Sequence, residues 1–440
     1  MQDHFNRLAD FLDSQVSGGR QYTCWFSAES SDFVRFNRGL IRQPGHVKQS
    51  MLSLELIDGM RHANSTVTLS GDPASDCELL ERTLTSLHGQ LPDLPDDPHL
   101  LISTECQSTQ QRSASQLPPA SEMVNDILRV ARGHDMVGIL AAGPVVRGFA
   151  NSHGQRNWHE TSSFNLDWSI YQSGDKAVKT AYAGQDWDQT LLHAKFQASL
   201  EQLVLLGRAP VRIAPGAYRA YLAPAALNEI IGMLNWDGVS EKSLRTRQSS
   251  LRRMRDEGVR LNPAISLCEN TAEGLAPGFQ SAGFIKPSRV CLIDRGRLAG
   301  SLVSPRTARE YGIETNGAGA GEAMASIDLA AGDLPVRDTL AALGTGILVS
   351  NLWYLNYSDR ASCRMTGMTR FASFWVEDGA IVAPLEVMRF DESIYRLLGD
   401  KLLGLTRERE LLIDNDSYGA RGTSSARMPG ALVKDFTFVL

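Results

Sequence analysis

The sequence predicts an α+β fold, and three observations carry that prediction. Residues Met1 to Val16 place Phe5, Leu8, Phe11 and Leu12 on one face of a helix, with charged and amide side chains elsewhere. Residues 163–170 alternate strictly: Phe164, Leu166, Trp168 and Ile170 on one face, Ser163, Asn165, Asp167 and Ser169 on the other. Beyond residue 209 the chain becomes strand-rich, most plainly from Gly344 to Phe390. At 440 residues it is long enough for two or three domains with full cores.

Taken in order, residues 1–88 form an N-terminal α/β unit. The helix is followed by strands near Val34–Phe36, Ser50–Ile57 and Ala63–Leu69, then a helix over Cys77–Leu87. Residues 89–121 read as a linker. They hold Pro92, Pro95, Pro98, Pro118 and Pro119, with a polar Ser/Gln/Thr run at 103–116. Residues 122–208 form a central α/β unit that completes the N-terminal part. It comprises a helix over Glu122–Arg132, two strands flanking Asn151-Ser152-His153-Gly154, and a helix capped by Asp188 that runs to Leu206 and stops at Gly207. Residues 209–440 open with a strand at Arg219–Leu222 and a helix from Pro224, where proline suits the first turn. Ile347 to Tyr357 is apolar and aromatic, and Ser358-Asp359-Arg360 breaks it. Asp378-Gly379 then joins Phe371–Glu377 to Ala380–Arg389 as a hairpin turn. Between the break and this hairpin, Arg364 to Arg370 reads as a connector.

Composition excludes several classes. Hydrophobic content of 42% against 21% charged describes a soluble globular protein. A net charge of -6 argues against a chain built mainly for nucleic acid. The six cysteines have no CxxC spacing and read as reduced thiols. The longest apolar run, Met136 to Val146, is too short to span a membrane, and no signal peptide is visible. A cytoplasmic location is the expectation.

The segment from Gly344 to Phe390 closely resembles the C-terminal signature of the TldD/PmbA family. Further matches follow in the family's order. Phe36–Ile41 with Leu54–Gly59 resembles its N-terminal strand pair, and Gly148–Gly154 its central turn. Leu292–Leu298 with Thr307–Gly312 resembles its C-terminal meander. The resemblance implies an N-terminal α/β part with mixed sheet and helices, followed by a β-rich, barrel-like C-terminal domain. It also implies a heterodimeric zinc metallopeptidase of the cytoplasm that acts on unfolded peptides, trims leader peptides and degrades small proteins.

In that family the TldD-like subunit carries His-Glu-x-x-x-His on a helix and a Cys near the C-terminus, and the TldE/PmbA-like subunit lacks them. Here Asn228-Glu229-Ile230-Ile231-Gly232-Met233 stands where the helical motif falls. Glu229 and Gly232 match, while Asn228 and Met233 replace both histidines. The Cys position falls near Ser417-Tyr418-Gly419, where no Cys stands, and no His lies beyond 193. Zinc asks for a tetrahedral set of imidazole, thiolate or carboxylate ligands. The chain is therefore expected to hold no zinc and to have no catalytic residues of its own. Zinc is expected in a TldD-like partner. The helix reads either as an ordinary buried helix with Glu229 on its rim or as a degenerate site where Glu229 contacts substrate or partner.

Arg364, Thr366, Thr369 and Arg370 are the candidates for lining a peptide-binding cavity, a role that rests on the resemblance. Trp353, Tyr354, Tyr357 and Trp375 read as core or interface aromatics. His153 reads as a turn histidine and His159 as a surface one. The run Asn316–Gly321 reads as a mobile loop bordering a cavity, since it lacks both the P-loop and dinucleotide contexts. Lys242–Arg260 carries seven basic residues and reads as a solvated basic face. Two functions remain: a non-catalytic subunit paired with a TldD-like chain, or a homodimeric peptide-binding or scaffold protein outside proteolysis.

Overall fold

The computed structural model describes residues 1–113, 117–174 and 176–439. Residues 114–116 of the expected polar linker lie outside the described residues. The architecture is α+β and contains two sheets.

The first sheet has seven strands. These are β1 (Gln21–Asn37), β2 (Leu40–Asp58), β3 (Arg61–Thr68), β4 (Thr109–Arg112), β5 (Met136–Asn151), β6 (Arg156–Ser173) and β7 (Lys176–Gly184). Their order is β3-β2-β1-β5-β6-β4, with β7 also on β6. The early strands are much longer than the short runs expected, because polar outward residues interrupt the apolar pattern without interrupting the ladder. One face is apolar and covered by helices. At one end α1 (Gln2–Gln15) and α2 (Pro73–Gln90) pack Phe5, Leu8, Leu12, Leu80 and Leu84 on Tyr22, Phe26 and Leu54. At the other end α3 (Ala120–Ala131) and α4 (Gln189–Leu206) cover Phe36, Phe164, Leu166 and Trp168. The Asp188 side chain accepts from Thr190 and Leu191 N–H, so the expected cap is real.

The opposite face carries Thr23, Glu29, Ser31, Asn157, His159, Thr161, Ser163 and Asn165, all buried. Strict alternation normally marks a face left to water. Here the C-terminal half covers it, and this corrects the reading of His159. The side chain is only 3% exposed, and its Nε2 lies 2.9 Å from the Leu275 carbonyl oxygen.

The second sheet has eleven strands: β8 (Gly216–Leu222), β9 (Leu267–Glu269), β10 (Val290–Asp294), β11 (Arg297–Leu298), β12 (Ser326–Leu329), β13 (Gly346–Asp359), β14 (Arg364–Glu377), β15 (Ala380–Pro384), β16 (Arg389–Ser393), β17 (Leu402–Ile413) and β18 (Ser425–Phe438). It is β-rich as expected, but the sheet as a whole is not closed into a barrel. β8 pairs with both β13 and β18, and β16 meets β18 through the single pair Phe390–Phe438. The strands β9 to β12 continue beyond that circuit as an open wing.

The supposed connector Arg364–Arg370 is the first half of β14, paired on one side with β13 and on the other with β16. Its Gly, Met and Thr content hid a strand whose buried face is Met365, Gly367 and Thr369. The Asp378-Gly379 turn forms as expected, with φ of 48° and 76°, the left-handed pair a two-residue hairpin requires. The Asn316–Gly321 run is pinned rather than open: Asn316 accepts from Val303 N–H and donates to the Ser301 carbonyl. The basic stretch forms two short helical turns whose arginines pair locally, Arg245 with Glu241 and Arg253 with Glu257.

Candidate functional site

A cavity of about 490 Å³ lies where the two sheets approach each other. Its floor is α5 (Pro224–Gly232), the helix that resembles the zinc motif. Leu227, Ile230 and Ile231 drive that helix into the core of the second sheet, each fully buried and contributing roughly 1.5–3 kcal/mol by leaving water. Packing that stripe inward turns Asn228, Glu229 and Gly232 outward onto the cavity. Gly232 has open space where a Cβ would stand, so the floor is clear there. Met233 does not reach the cavity. It is buried beneath the floor, and its carbonyl accepts from the Tyr357 hydroxyl at 2.7 Å.

The walls come from both halves of the chain. The first contributes Asn165 and Asp167 on β6, Lys179 and Thr180 on β7, and Lys195 on α4. The second contributes Ser350 and Asn351 on β13, Glu410, Leu412 and Ile413 on β17, and Asp414, Asn415 and Ser424 at the ends of the loop that follows. Two ion pairs brace the walls: Lys179 with Asp167 at 3.3 Å and Lys195 with Glu410 at 2.7 Å. Glu229 is exposed to solvent where it lines the cavity, with protein packed around it. Desolvation by that surrounding protein pushes its carboxyl above the ordinary glutamate range, and Lys179 pulls it partly back. The side-chain oxygens of Asn228 (Oδ1), Ser350 (Oγ) and Asn351 (Oδ1) are buried without a hydrogen-bond partner.

Two strand edges border the same space. β7 pairs only with β6, and the Arg409–Ile413 stretch of β17 pairs only with β18, among the described residues. β7 contributes Lys179, Thr180 and Ala181 to the cavity lining and β17 contributes Glu410, Leu412 and Ile413.

The donors around the cavity do not fit zinc. No His or Cys lines it, and among the described residues no three His, Cys, Asp or Glu side chains converge as a metal group. The stretch Ser417–Gly419 lies on the loop that rims the cavity. Tyr418 is wholly exposed there, and the Gly419 carbonyl accepts from Gln49. The helix with Asn228 and Glu229 lines the cavity, whereas Ser417–Gly419 does not; only the two ends of its loop, Asp414–Asn415 and Ser424, reach the lining.

The four candidate peptide-binding residues do not line this cavity. Arg364 is paired with Asp391, and the Thr366 hydroxyl donates to the Phe390 carbonyl. Thr369 is buried and its Oγ1 accepts from Met388 N–H. Arg370 is exposed, with its guanidinium 4.5 Å from the Trp353 ring centroid. Trp353 and Tyr354 lie on the surface at 46% and 76% exposure. Asp167, Lys179, Lys195, Asn351 and Glu410 carried no local motif. Only Asp167 had a sequence signal, as part of the polar face of β6.

Comparison with known proteins agrees with this architecture. Residues 215–439 match the family described as the PmbA/TldA metallopeptidase C-terminal domain. No curated protein matches the chain. Among solved structures, TldE from Thermococcus kodakarensis superposes with a TM-score of 0.78 at 14% identity, over 99% of this chain and 100% of that one. A Thermotoga maritima protein described as a candidate modulator of a DNA gyrase gives 0.75 at 14% identity, over 99% of both chains. A similarly described protein from Bacteroides thetaiotaomicron gives 0.75 at 14% identity, over 99% and 98%. At that identity these likenesses show a shared fold. Since the matched segment spans half of the sequence, including the α5 floor and the strands around it, the chain belongs to the PmbA/TldD metallopeptidase family.

Proposed function

We propose that this chain is the TldE/PmbA-like, non-catalytic subunit of a heterodimeric zinc metallopeptidase that acts on unfolded peptides in peptide maturation, leader removal or degradation of small proteins. One observation carries the reading: the helix at the family's zinc position presents Asn228 and Glu229 to a cavity whose wall holds no imidazole or thiolate. A carboxylate with no metal-bound water to activate is not a peptidase. A TldD-like partner supplies the zinc and the general base.

This subunit's own residues hold the peptide. The free edges of β7 and β17 offer main-chain groups to an extended strand, which gives affinity with little demand on sequence. The exposed Trp353–Tyr354 pair offers aromatic surface to the partner subunit.

The test is metal content and cleavage of casein, with and without a TldD-like subunit from the same genome. Activity only in the mixture, with zinc tracking the partner, is expected. Stoichiometric zinc and cleavage by this chain alone would overturn the proposal.

A further inference from the structure

The charges and the unused hydrogen-bonding groups of the cavity are unbalanced in one direction. Four carboxylates line it, Asp167, Glu229, Glu410 and Asp414, against two ammonium groups, Lys179 and Lys195. Each lysine is taken by one carboxylate, Lys179 by Asp167 and Lys195 by Glu410. Asp167 also accepts from the Asn415 amide at 3.1 Å. Glu229 and Asp414 are left with no cation at ion-pair distance among the described residues. Lys179, the cation that acts on Glu229, is already committed to Asp167.

The unsatisfied groups point the same way. Asn228 Oδ1, Asn351 Oδ1 and Ser350 Oγ are buried oxygens on this wall with nothing donating to them. A buried acceptor without a donor is costly, and a ligand recovers that cost by supplying N–H groups. A guanidinium carries five N–H donors and no acceptor, and an ammonium three. A carboxylate or phosphate ligand adds further negative charge beside Glu229 and Asp414 and leaves these acceptor oxygens unmatched.

We propose that the cavity selects a basic side chain, arginine or lysine, of the bound peptide, with its cationic head between Glu229 and Asp414 and its N–H groups on Asn228, Ser350 and Asn351. The inference rests on the peptide-holding reading above and names the side chain that the cavity takes.

Three end-blocked tripeptides, Ala-Arg-Ala, Ala-Lys-Ala and Ala-norleucine-Ala, are titrated calorimetrically into the full purified chain at low and high salt. The basic peptides are expected to bind at least tenfold more tightly than the norleucine peptide, with the margin shrinking in salt. Glu229→Gln and Asp414→Asn, each checked to melt no lower than the parent, each reduce the margin several-fold. Equal binding of all three peptides overturns the charge selection and leaves the peptide-holding reading standing. A margin unchanged in the Glu229→Gln, Asp414→Asn double variant overturns the site. Failure of all three peptides to bind overturns both.

Discussion

Glu229 is held between burial, which disfavours its charge, and Lys179, which favours it, and burial is the larger influence. The consequence for stability follows from linkage. An acid whose folded-state pKa is raised favours folding while it is protonated in both states. That contribution is lost as pH rises through the folded value. Glu229→Gln removes the cost of charging and keeps the shape. Its melting temperature should exceed that of the parent at pH 7–8, and the difference should close as pH falls toward the ordinary value of 4.5. A parent that melts above the Glu229→Gln variant at pH 7–8 would show instead that Glu229 is charged and well paired in the folded protein. Gly232 permits a second residue-scale test. It sits in a helical conformation with open space at the Cβ position, so Gly232→Ala should stabilise by about 0.5–1 kcal/mol in urea unfolding. Gly232→Phe should fold equally well yet weaken peptide binding at least tenfold, because the ring enters the cavity.

At the scale of elements, the free edges of β7 and β17 determine how an extended chain can be held. Main-chain pairing alternates along a strand, so a bound peptide needs every second N–H. Methylating those nitrogens in an unstructured peptide should weaken binding at least tenfold, and methylating the intervening ones should change little. Little effect at either set would mean that side chains alone hold the peptide. α5 must also stay seated for the floor to exist. Ile230→Ala should cost about 2–5 kcal/mol in chemical unfolding, since the residue is buried among the second sheet's core. The hairpin at Asp378-Gly379 and the cap at Asp188 were readable because local chemistry dictates both. The first half of β14 was not, since its pairing with β16 is a long-range contact and its composition reads as a loop.

Across the whole molecule, the first sheet's polar face is buried by the second half, and Arg421 is the principal fastening. Its guanidinium donates to the Gly143 and Ser163 carbonyls at 2.9 and 2.8 Å and to the hydroxyls of Ser31 and Ser163. Burial pushes its pKa down to about 10, against the pull of Glu29. Arg421→Ala should cost about 3 kcal/mol, because it strands several buried acceptors at once. The same change should split a single unfolding transition into two, read by calorimetry, if this fastening couples the sheets. A single transition with little loss of stability would show that the sheets are coupled elsewhere. Among the described residues no helix is long and apolar enough to cross a membrane.

The sequence by itself determined the main helices, the main strand alternation and the α+β class, because capping residues, turn pairs and apolar periodicity act over a few residues; the family came from the resemblance of its motifs in order along the chain. It also located the α5 helix, since Leu227, Ile230 and Ile231 recur at helical spacing and Glu229 and Gly232 stand at their family positions. Only the tertiary structure decided what those positions face. Asp167 and Lys179 come from the adjacent strands β6 and β7, Asn351 and Glu410 from β13 and β17 far along the chain, and no local pattern announces that they share a cavity with Glu229. The polar face of β6 reads as solvent-exposed in one dimension. It is buried because the Arg421 loop and the second half of the chain satisfy its hydrogen bonds, and such matching between segments 248 and 258 residues apart exists only once the chain has folded.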